Sequence, residues 1–239
     1  MGFTSRSQIR WTILLLAFLL LDATVVFPQD RPAAPPSDTL AAPGRAGWST
    51  DPRTGCWVWN PDGSMGTKVA WSGACGRDGR ATGQGIAEWR SGALVARNDG
   101  EYRDGKLNGR GSWTGLRGER YEGEYRDGKA HGQGIATSPD GNRYEGQWGD
   151  GGPNGRGIET LGNGSRYDGE WRNGRKDGRG VLTTRSGDRY DGKWRNGRPD
   201  GFGEFWTDGR RFAGTWKDGC LRDGQGNRIA LGRPVSECP

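Results

Sequence analysis

The sequence predicts an all-β protein built from stacked β-hairpins, and three observations lead to this fold class. Glycine accounts for 46 of the 239 residues, 12 residues are tryptophan, and only 31% are apolar. So few apolar residues cannot fill one large packed core, whereas so many tryptophans argue against a disordered chain. The third observation is a motif that recurs every 23 residues, which is the signature of a repeat architecture.

The first 27 residues have the pattern of an export signal. Arg6 and Arg10 precede an apolar run at residues 11–21. Basic residues before such a run indicate a secretory signal peptide, and a retained anchor over residues 11–27 is the alternative. Both interpretations place the rest of the chain outside the cytoplasm, because the arginine side stays inside. The protein is therefore predicted to be periplasmic or otherwise extracytoplasmic, either soluble after cleavage or anchored to the membrane.

Residues 28–54 are interpreted as a linker rich in proline and alanine. Five prolines lie within residues 28–47, and such a composition favours an extended chain. This linker would hold the folded part clear of a membrane if the anchor is retained, or would form a flexible terminus if it is not.

Seven copies of one motif follow, and residues 55–226 are predicted to form the repeat array. The copies begin at Trp71, Asn98, Tyr121, Tyr144, Tyr167, Tyr190 and Phe212. An aromatic–x–Gly–x–aromatic stretch alternates with the period of a half-buried strand. In six copies an Asp-Gly or Asn-Gly pair follows, which supplies the positive φ angles of a tight turn. Each copy is therefore predicted to be one hairpin, with residues 227–239 as a C-terminal cap or tail.

The aromatic residues of the copies are the candidate binding face. Each glycine between two aromatics is predicted to leave room for a ring from a neighbouring hairpin, so that a stack of rings replaces a conventional core. These glycines are Gly123, Gly146, Gly169, Gly192 and Gly214. Packing is the expected main role of the rings, and partner contact is an added one. The rings are those of Tyr121, Tyr125, Tyr144, Trp148, Tyr167, Trp171, Tyr190, Trp194, Phe212 and Trp216.

The opposite strand face is predicted to be charged. An arginine precedes the first aromatic of five copies, as at Arg143 and Arg166, and in four of them an acid follows it, as at Glu145 and Asp168. Strand alternation places both charges on one surface. The arginines could form a basic docking stripe, but acids match them almost copy for copy. This match favours a solvated ladder that neutralises itself.

The spacing of the fifth copy resembles that of the MORN repeat, the membrane occupation and recognition nexus. The matching residues are Tyr167, Gly169, Trp171, Gly174, Gly178 and Gly180. The resemblance implies an elongated, twisted, single-layer antiparallel sheet that serves as a scaffold or partner-binding surface. Some members of the family are reported to bind acidic phospholipids, and others precede a catalytic domain, which is not expected here because only thirteen residues follow Gly226.

Four cysteines on an exported chain predict two disulfides. Each hairpin advances the stack by roughly 10 Å, so cysteines six copies apart lie about 60 Å from each other. A disulfide needs Cα atoms within about 7 Å, which excludes a bridge between Cys75 and Cys220. The predicted pairs are Cys56–Cys75 and Cys220–Cys238, which would cap the two ends.

No catalytic, cofactor or metal site is predicted. The chain has a single histidine, and its carboxylates occupy equivalent slots in successive copies, so no acid stands in a different environment from the others. The predicted function is a non-catalytic scaffold that binds a protein of the cell envelope. The alternative, suggested by the net charge of +6, is binding to anionic phospholipid or an envelope polymer. Export argues against nucleic acid, and open sheet edges would allow two copies to pair.

Overall fold

A computed structural model describes residues 47–60, 68–222, 226 and 228–238. The predicted export signal and the linker up to residue 46 lie outside the described residues. No described segment forms an apolar helix of the length that crossing a membrane requires.

The described residues form 18 strands and a short 3-10 helix at Val235–Glu237, so the predicted all-β class is confirmed. The strands are β1 (Trp48–Thr50), β2 (Trp57–Trp59), β3 (Lys68–Trp71), β4 (Ala74–Cys75), β5 (Ala81–Ser91), β6 (Ala93–Arg103), β7 (Lys106–Gly115), β8 (Arg120–Arg126), β9 (Lys129–Thr137), β10 (Arg143–Gly149), β11 (Gly152–Thr160), β12 (Arg166–Arg172), β13 (Arg175–Thr183), β14 (Arg189–Arg195), β15 (Arg198–Thr207), β16 (Arg210–Trp216), β17 (Cys220–Arg222) and β18 (Arg228–Ala230).

One open antiparallel sheet contains β3 and β5 to β16 in chain order, with β4 beside β5. Each strand pairs with the strands before and after it, so the predicted single layer of consecutive hairpins is confirmed. The first residue of each tight turn from copy 2 onward has a positive φ, such as 52° at Asp127 and 49° at Asn173. Aspartate and asparagine tolerate this left-handed conformation better than other side chains, which explains the Asp-Gly and Asn-Gly pairs.

The tight turns form a continuous row along one edge of the sheet, which we call the tip edge. Its turn glycines are Gly79, Gly105, Gly128, Gly151, Gly174, Gly197 and Gly219. From copy 2 onward, each turn glycine donates its N–H to a carbonyl in the preceding repeat. The Gly174 N–H, for example, donates to the Pro153 carbonyl at 2.9 Å. Successive hairpins are therefore joined at their tips as well as along their strands.

A separate hairpin of β1 and β2 covers the start of the tip edge. The N–H groups of Trp57 and Trp59 donate to the carbonyls of Gly79 and Gly105, each at 2.8 Å. Residues 48–50, predicted to belong to the linker, are strand β1, and this part of the prediction is wrong. The reason is packing, because the Trp48 ring meets the Trp59 ring edge-to-face with centroids 5.4 Å apart.

The seventh copy does not close its hairpin. After the turn at Gly219, β17 leaves the main sheet and pairs with β18. The predicted extent of the array is therefore too long at this end. The cause is the terminal disulfide, since the Cys220–Cys238 bridge holds β17 against the C-terminal segment, with Cα atoms 5.6 Å apart. The Cys56–Cys75 bridge, with Cα atoms 5.7 Å apart, ties the first hairpin to the array, so both predicted pairings are confirmed.

Candidate functional site

The aromatic residues form a continuous zigzag along the inner face of the sheet. Tyr144 contacts Trp148 of its own repeat and Trp171 of the next, with both centroid distances 5.2 Å and nearly perpendicular planes. Tyr167 stands in the same way between Trp171 and Trp194, at 5.3 and 5.1 Å. Edge-to-face contacts at these distances are favourable beyond the apolar area that they bury. The chain of rings is therefore the core of the array.

Hydrogen bonds hold the rings of the regular repeats at their polar ends. The Tyr167 hydroxyl donates to the Glu170 carbonyl at 3.0 Å, and the Trp171 Nε1–H donates to the Gly157 carbonyl at 3.2 Å. Burial raises the pKa of the Tyr167 hydroxyl, and the nearby carboxylates of Glu170 and Glu159 act in the same direction. The hydroxyl therefore stays protonated and continues to donate.

The glycine spaces are filled differently from the prediction. A Cβ on Gly169 would meet the Gly180 Cα at 2.5 Å and the Tyr167 hydroxyl at 2.5 Å, both in its own hairpin. A Cβ on Gly180 would meet the same hydroxyl at 2.3 Å. The ring that needs the space thus belongs to the same repeat, and the prediction of a ring from a neighbour is wrong. The cause is a bulge between Gly169 and Trp171, where the strand register shifts and the hairpin bends over its own tyrosine.

The ten residues of the candidate binding face lie in the core. Nine are buried and Phe212 is partly buried, so their rings leave little surface for a partner. The nine are Tyr121, Tyr125, Tyr144, Trp148, Tyr167, Trp171, Tyr190, Trp194 and Trp216. Packing, their expected main role, accounts for the positions of the rings.

The outer face carries the predicted ladder of opposite charges. Arg143 and Glu145 form an ion pair at 2.7 Å, and Arg166 and Asp168 form one at 2.8 Å. The pairs lie within one strand at i and i+2. Both partners are about half exposed, so each pair contributes only a few tenths of a kcal/mol. These charges are neutralised locally, whereas other cations of this face, such as Arg179, have no acidic partner within 4 Å among the described residues.

One buried ion pair interrupts the uniform core, and the sequence analysis missed it. The Lys176 ammonium is 4% exposed and lies 2.9 Å from a Glu159 carboxylate oxygen. It also lies 5.1 to 5.9 Å from the ring centroids of Tyr167, Trp171 and Trp194. A signal was present, because the same slot holds Leu107, Ala130, Pro153 or Pro199 in other copies.

The tip edge carries another part of the positive charge. Arg172 pairs with Asp177 at 3.2 Å, and Arg198 pairs with Asp218 at 2.9 Å. Arg126 and Arg175 are exposed and have no acidic partner within 4 Å among the described residues. The tip edge therefore presents turn backbone and some arginine side chains that have no partner among the described residues.

The described residues contain no cluster of three His, Cys, Asp or Glu side chains that could hold a metal ion. The single histidine, His131, lines a shallow depression with Glu101 and Glu124 on the flank of copies 2 and 3.

A model of the MORN repeat matches five consecutive stretches of the chain. They are residues 99–118, 121–143, 144–166, 167–189 and 190–210. The first and seventh copies, which depart from the regular pattern, lie outside the matched stretches. No curated protein is significantly similar in sequence. MORN repeats are generally modules that bind proteins or membranes and are not themselves catalytic.

Proposed function

The chain is a MORN-repeat protein, and we propose that it is a non-catalytic scaffold that binds another protein in the cell envelope. The proposal depends on one observation, namely where the aromatic, charged and turn residues lie in the array. The rings are used in the core and many outer-face arginines are ion-paired, whereas the tip edge keeps an accessible row of turn backbone with arginines such as Arg175 beside it. A rigid row of such groups suits a polypeptide partner better than a small substrate, which needs a concave pocket.

The cysteines support the proposed location. One disulfide lies at each end of the array. Such bonds persist in oxidising compartments outside the cytoplasm. The arginine-flanked apolar run at residues 11–21 agrees with export.

Binding to anionic phospholipid or an envelope polymer is the weaker candidate. The net charge of +6 favours it. Against it, several outer-face arginines have acidic partners within their own strands, such as Glu145 for Arg143. Locally paired charges create little long-range field for an anionic surface, and salt screens what remains.

Photo-crosslinking in the native host tests the proposal. A photoreactive amino acid is placed in the full chain at Arg175 on the tip edge, at Glu145 on the outer face, or at Arg185 on the opposite edge. We expect one protein adduct that depends on irradiation and is strongest from position 175. Adducts of lipid or polymer alone at all three positions would contradict the scaffold, whereas an adduct of the chain with itself would show pairing of two copies. Flotation with anionic vesicles at low and high salt then measures the competing candidate directly.

A further inference from the structure

Three turn carbonyls of the tip edge already bind extended segments of the chain itself. The Gly79 carbonyl accepts the Trp57 N–H, and the Gly105 carbonyl accepts the Trp59 N–H, each at 2.8 Å. At the other end, the Gly219 carbonyl accepts the Leu231 N–H at 2.8 Å. The carbonyl oxygen of a turn glycine in this array can therefore accept a backbone hydrogen bond from a segment that lies along the tips.

The spacing of the first two contacts defines how such a segment lies. Trp57 and Trp59 are alternate residues of β2, so their N–H groups are about 7 Å apart and point in the same direction. They reach the turns of two consecutive repeats. In this docked strand, two alternate residues therefore contact two consecutive turn carbonyls.

Basic side chains beside the turns hold the aromatic rings of the docked hairpin. The residue directly after the turn glycine is Arg80 in copy 1 and Lys106 in copy 2. The Arg80 guanidinium lies 5.6 Å from the Trp48 ring centroid, and the Lys106 ammonium lies 5.0 Å from that of Trp59. These are cation–π distances.

Copies 5 and 6 repeat this arrangement, and no described residue is docked on it. Gly174 and Gly197 have φ angles of 74° and 85°, close to the 77° of Gly105. Each is followed by a basic residue, Arg175 or Arg198. No described residue donates a hydrogen bond to either turn carbonyl.

The space above these two turns is open. A Cβ on Gly105 would meet the docked Trp48 ring at 2.4 Å and the Trp57 carbonyl oxygen at 3.1 Å. A Cβ on Gly174 or Gly197 would meet no heavy atom within 4 Å. Within the described part of the chain, no segment takes the place in the fifth and sixth copies that β1 and β2 take in the first ones.

We propose that the tips of copies 5 and 6 bind an extended segment of a partner polypeptide. Its alternate N–H groups donate to the Gly174 and Gly197 carbonyls, and one of its aromatic side chains packs on Arg175, as Trp59 packs on Lys106. This is strand addition at a row of turns, in which backbone hydrogen bonds provide affinity and alternate side chains provide specificity. The inference rests on the proposed function, since it names the contact that the scaffold uses.

The local charge indicates the composition of that segment. The turns of copies 5 and 6 begin with Asn173 and Asn196, whereas those under the docked hairpin begin with Asp78 and Asp104. Asp177 and Asp200 compensate for these two acids. Arg175, however, has no acidic partner within 4 Å among the described residues. The partner segment is therefore an aromatic–x–aromatic sequence, like that of β2, with an acidic residue beside it that complements Arg175.

A labelled synthetic peptide, Ser-Glu-Trp-Val-Trp-Glu-Ser, tests the proposal by fluorescence anisotropy with the full chain. A peptide of the same composition with adjacent tryptophans is the first control. The second carries N-methyl groups on both tryptophan amides, which removes the two donors. We expect the first peptide to bind and the N-methylated control to bind about 10- to 30-fold more weakly, as the loss of two hydrogen bonds predicts. The control with adjacent tryptophans should also bind more weakly, because its rings point to opposite sides of an extended segment. Equal binding of the three peptides, or no binding of the first, overturns the proposal.

Variants of the protein locate the contact. The double substitution Gly174→Asn, Gly197→Asn fills the open space with a residue that tolerates a positive φ. Its matched control is Gly164→Asn, Gly187→Asn on the opposite edge, where φ is 89° and 92° and a Cβ would also meet nothing. We expect the first pair to weaken peptide binding at least about 10-fold and the second pair to leave it unchanged. Equal effects of both pairs would contradict the assignment to the tips.

The basic residues are tested by Arg175→Gln, with Arg185→Gln on the opposite edge as its control. Loss of one cation–π contact weakens binding about three- to five-fold.

Sedimentation of the full chain tests for a different occupant. Self-association that competes with the peptide would show that a second copy fills the site, and it would overturn the proposal. A protein adduct in the host together with no peptide binding leaves the scaffold standing and removes only the tip assignment.

Discussion

The middle of the array and its two ends are stabilised in different ways. In copies 3 to 6 one set of contacts recurs almost unchanged, with Tyr–Trp centroid distances of 4.8 to 5.3 Å. Each end has a disulfide, and the N-terminal end also has a docked tryptophan hairpin. The middle copies have neither feature. The difference follows from position, because a middle repeat is covered by identical neighbours and a terminal repeat has one uncovered side.

The largest expected effect tests the uniformity of the middle. Tyr167→Ala removes a buried ring that contacts Trp171 and Trp194, and should lower the free energy of unfolding by about 4 kcal/mol. Tyr144→Ala and Tyr190→Ala should cost the same within about 1 kcal/mol, since their contacts are equivalent. Urea unfolding followed by circular dichroism measures all three.

Tyr167→Phe is the control for that series. It keeps the ring and removes only the hydroxyl that donates to the Glu170 carbonyl, so about 1 kcal/mol is expected. If the phenylalanine variant were as unstable as the alanine variant, the hydrogen bond rather than the ring packing would dominate the core.

A smaller effect, confined to one end, is expected from the C-terminal disulfide. Replacing Cys220 and Cys238 by serine opens a loop of 18 residues in sequence separation and should destabilise the cap by about 3 kcal/mol. Hydrogen exchange measured by mass spectrometry should become faster in residues 220–238. Faster exchange throughout β8 to β15 as well would show that the cap supports the whole array rather than its own segment.

The buried ion pair is a departure from the regular core within the middle copies, and its contribution to stability can be tested. Lys176→Met leaves the Glu159 carboxylate without its partner and should cost about 2 kcal/mol. Adding Glu159→Leu restores an apolar slot like that of Leu182 in the next copy, and the double variant should unfold within about 1 kcal/mol of the parent. A double variant as unstable as the single one would mean that the pair contributes more than the packing that replaces it.

The regular parts of this fold were predictable because they depend on local chemistry. The Asp-Gly and Asn-Gly turns require positive φ angles, and strand alternation separates rings from charges, so both could be read from one repeat. The disulfide pairing followed from the strand spacing alone. The binding face was less predictable, since alternation locates the aromatic side of a strand but does not reveal whether neighbouring rings cover it.

The missed features depend on contacts between distant residues. The bulge at Gly169 decides which tyrosine fills the glycine space, and no local pattern specifies that choice. The docking of β2 on the Gly79 and Gly105 turns joins segments that lie more than twenty residues apart. Lys176 was detectable only by comparing the same slot across copies. Each of these features is a departure from the repeat. An interpretation based on the repeat motif predicts what the copies share and cannot predict such departures.

Asp51 is such a departure at the N-terminal end, and it makes the stability of that end depend on pH. Burial of the Asp51 carboxylate raises its pKa, but hydrogen bonds from the Arg53 side chain and from the Trp71 and Arg53 N–H groups outweigh burial and lower the pKa to about 2. A lowered pKa stabilises the fold above the ordinary value of 3.8, and the contribution fades as pH falls from about 4 towards 2. Asp51→Asn should therefore speed amide exchange of residues 47–60 at neutral pH by an amount equivalent to roughly 1–2 kcal/mol. The parent and the variant should converge near pH 2, and a difference that persisted there would show that Asp51 acts through its shape rather than its charge.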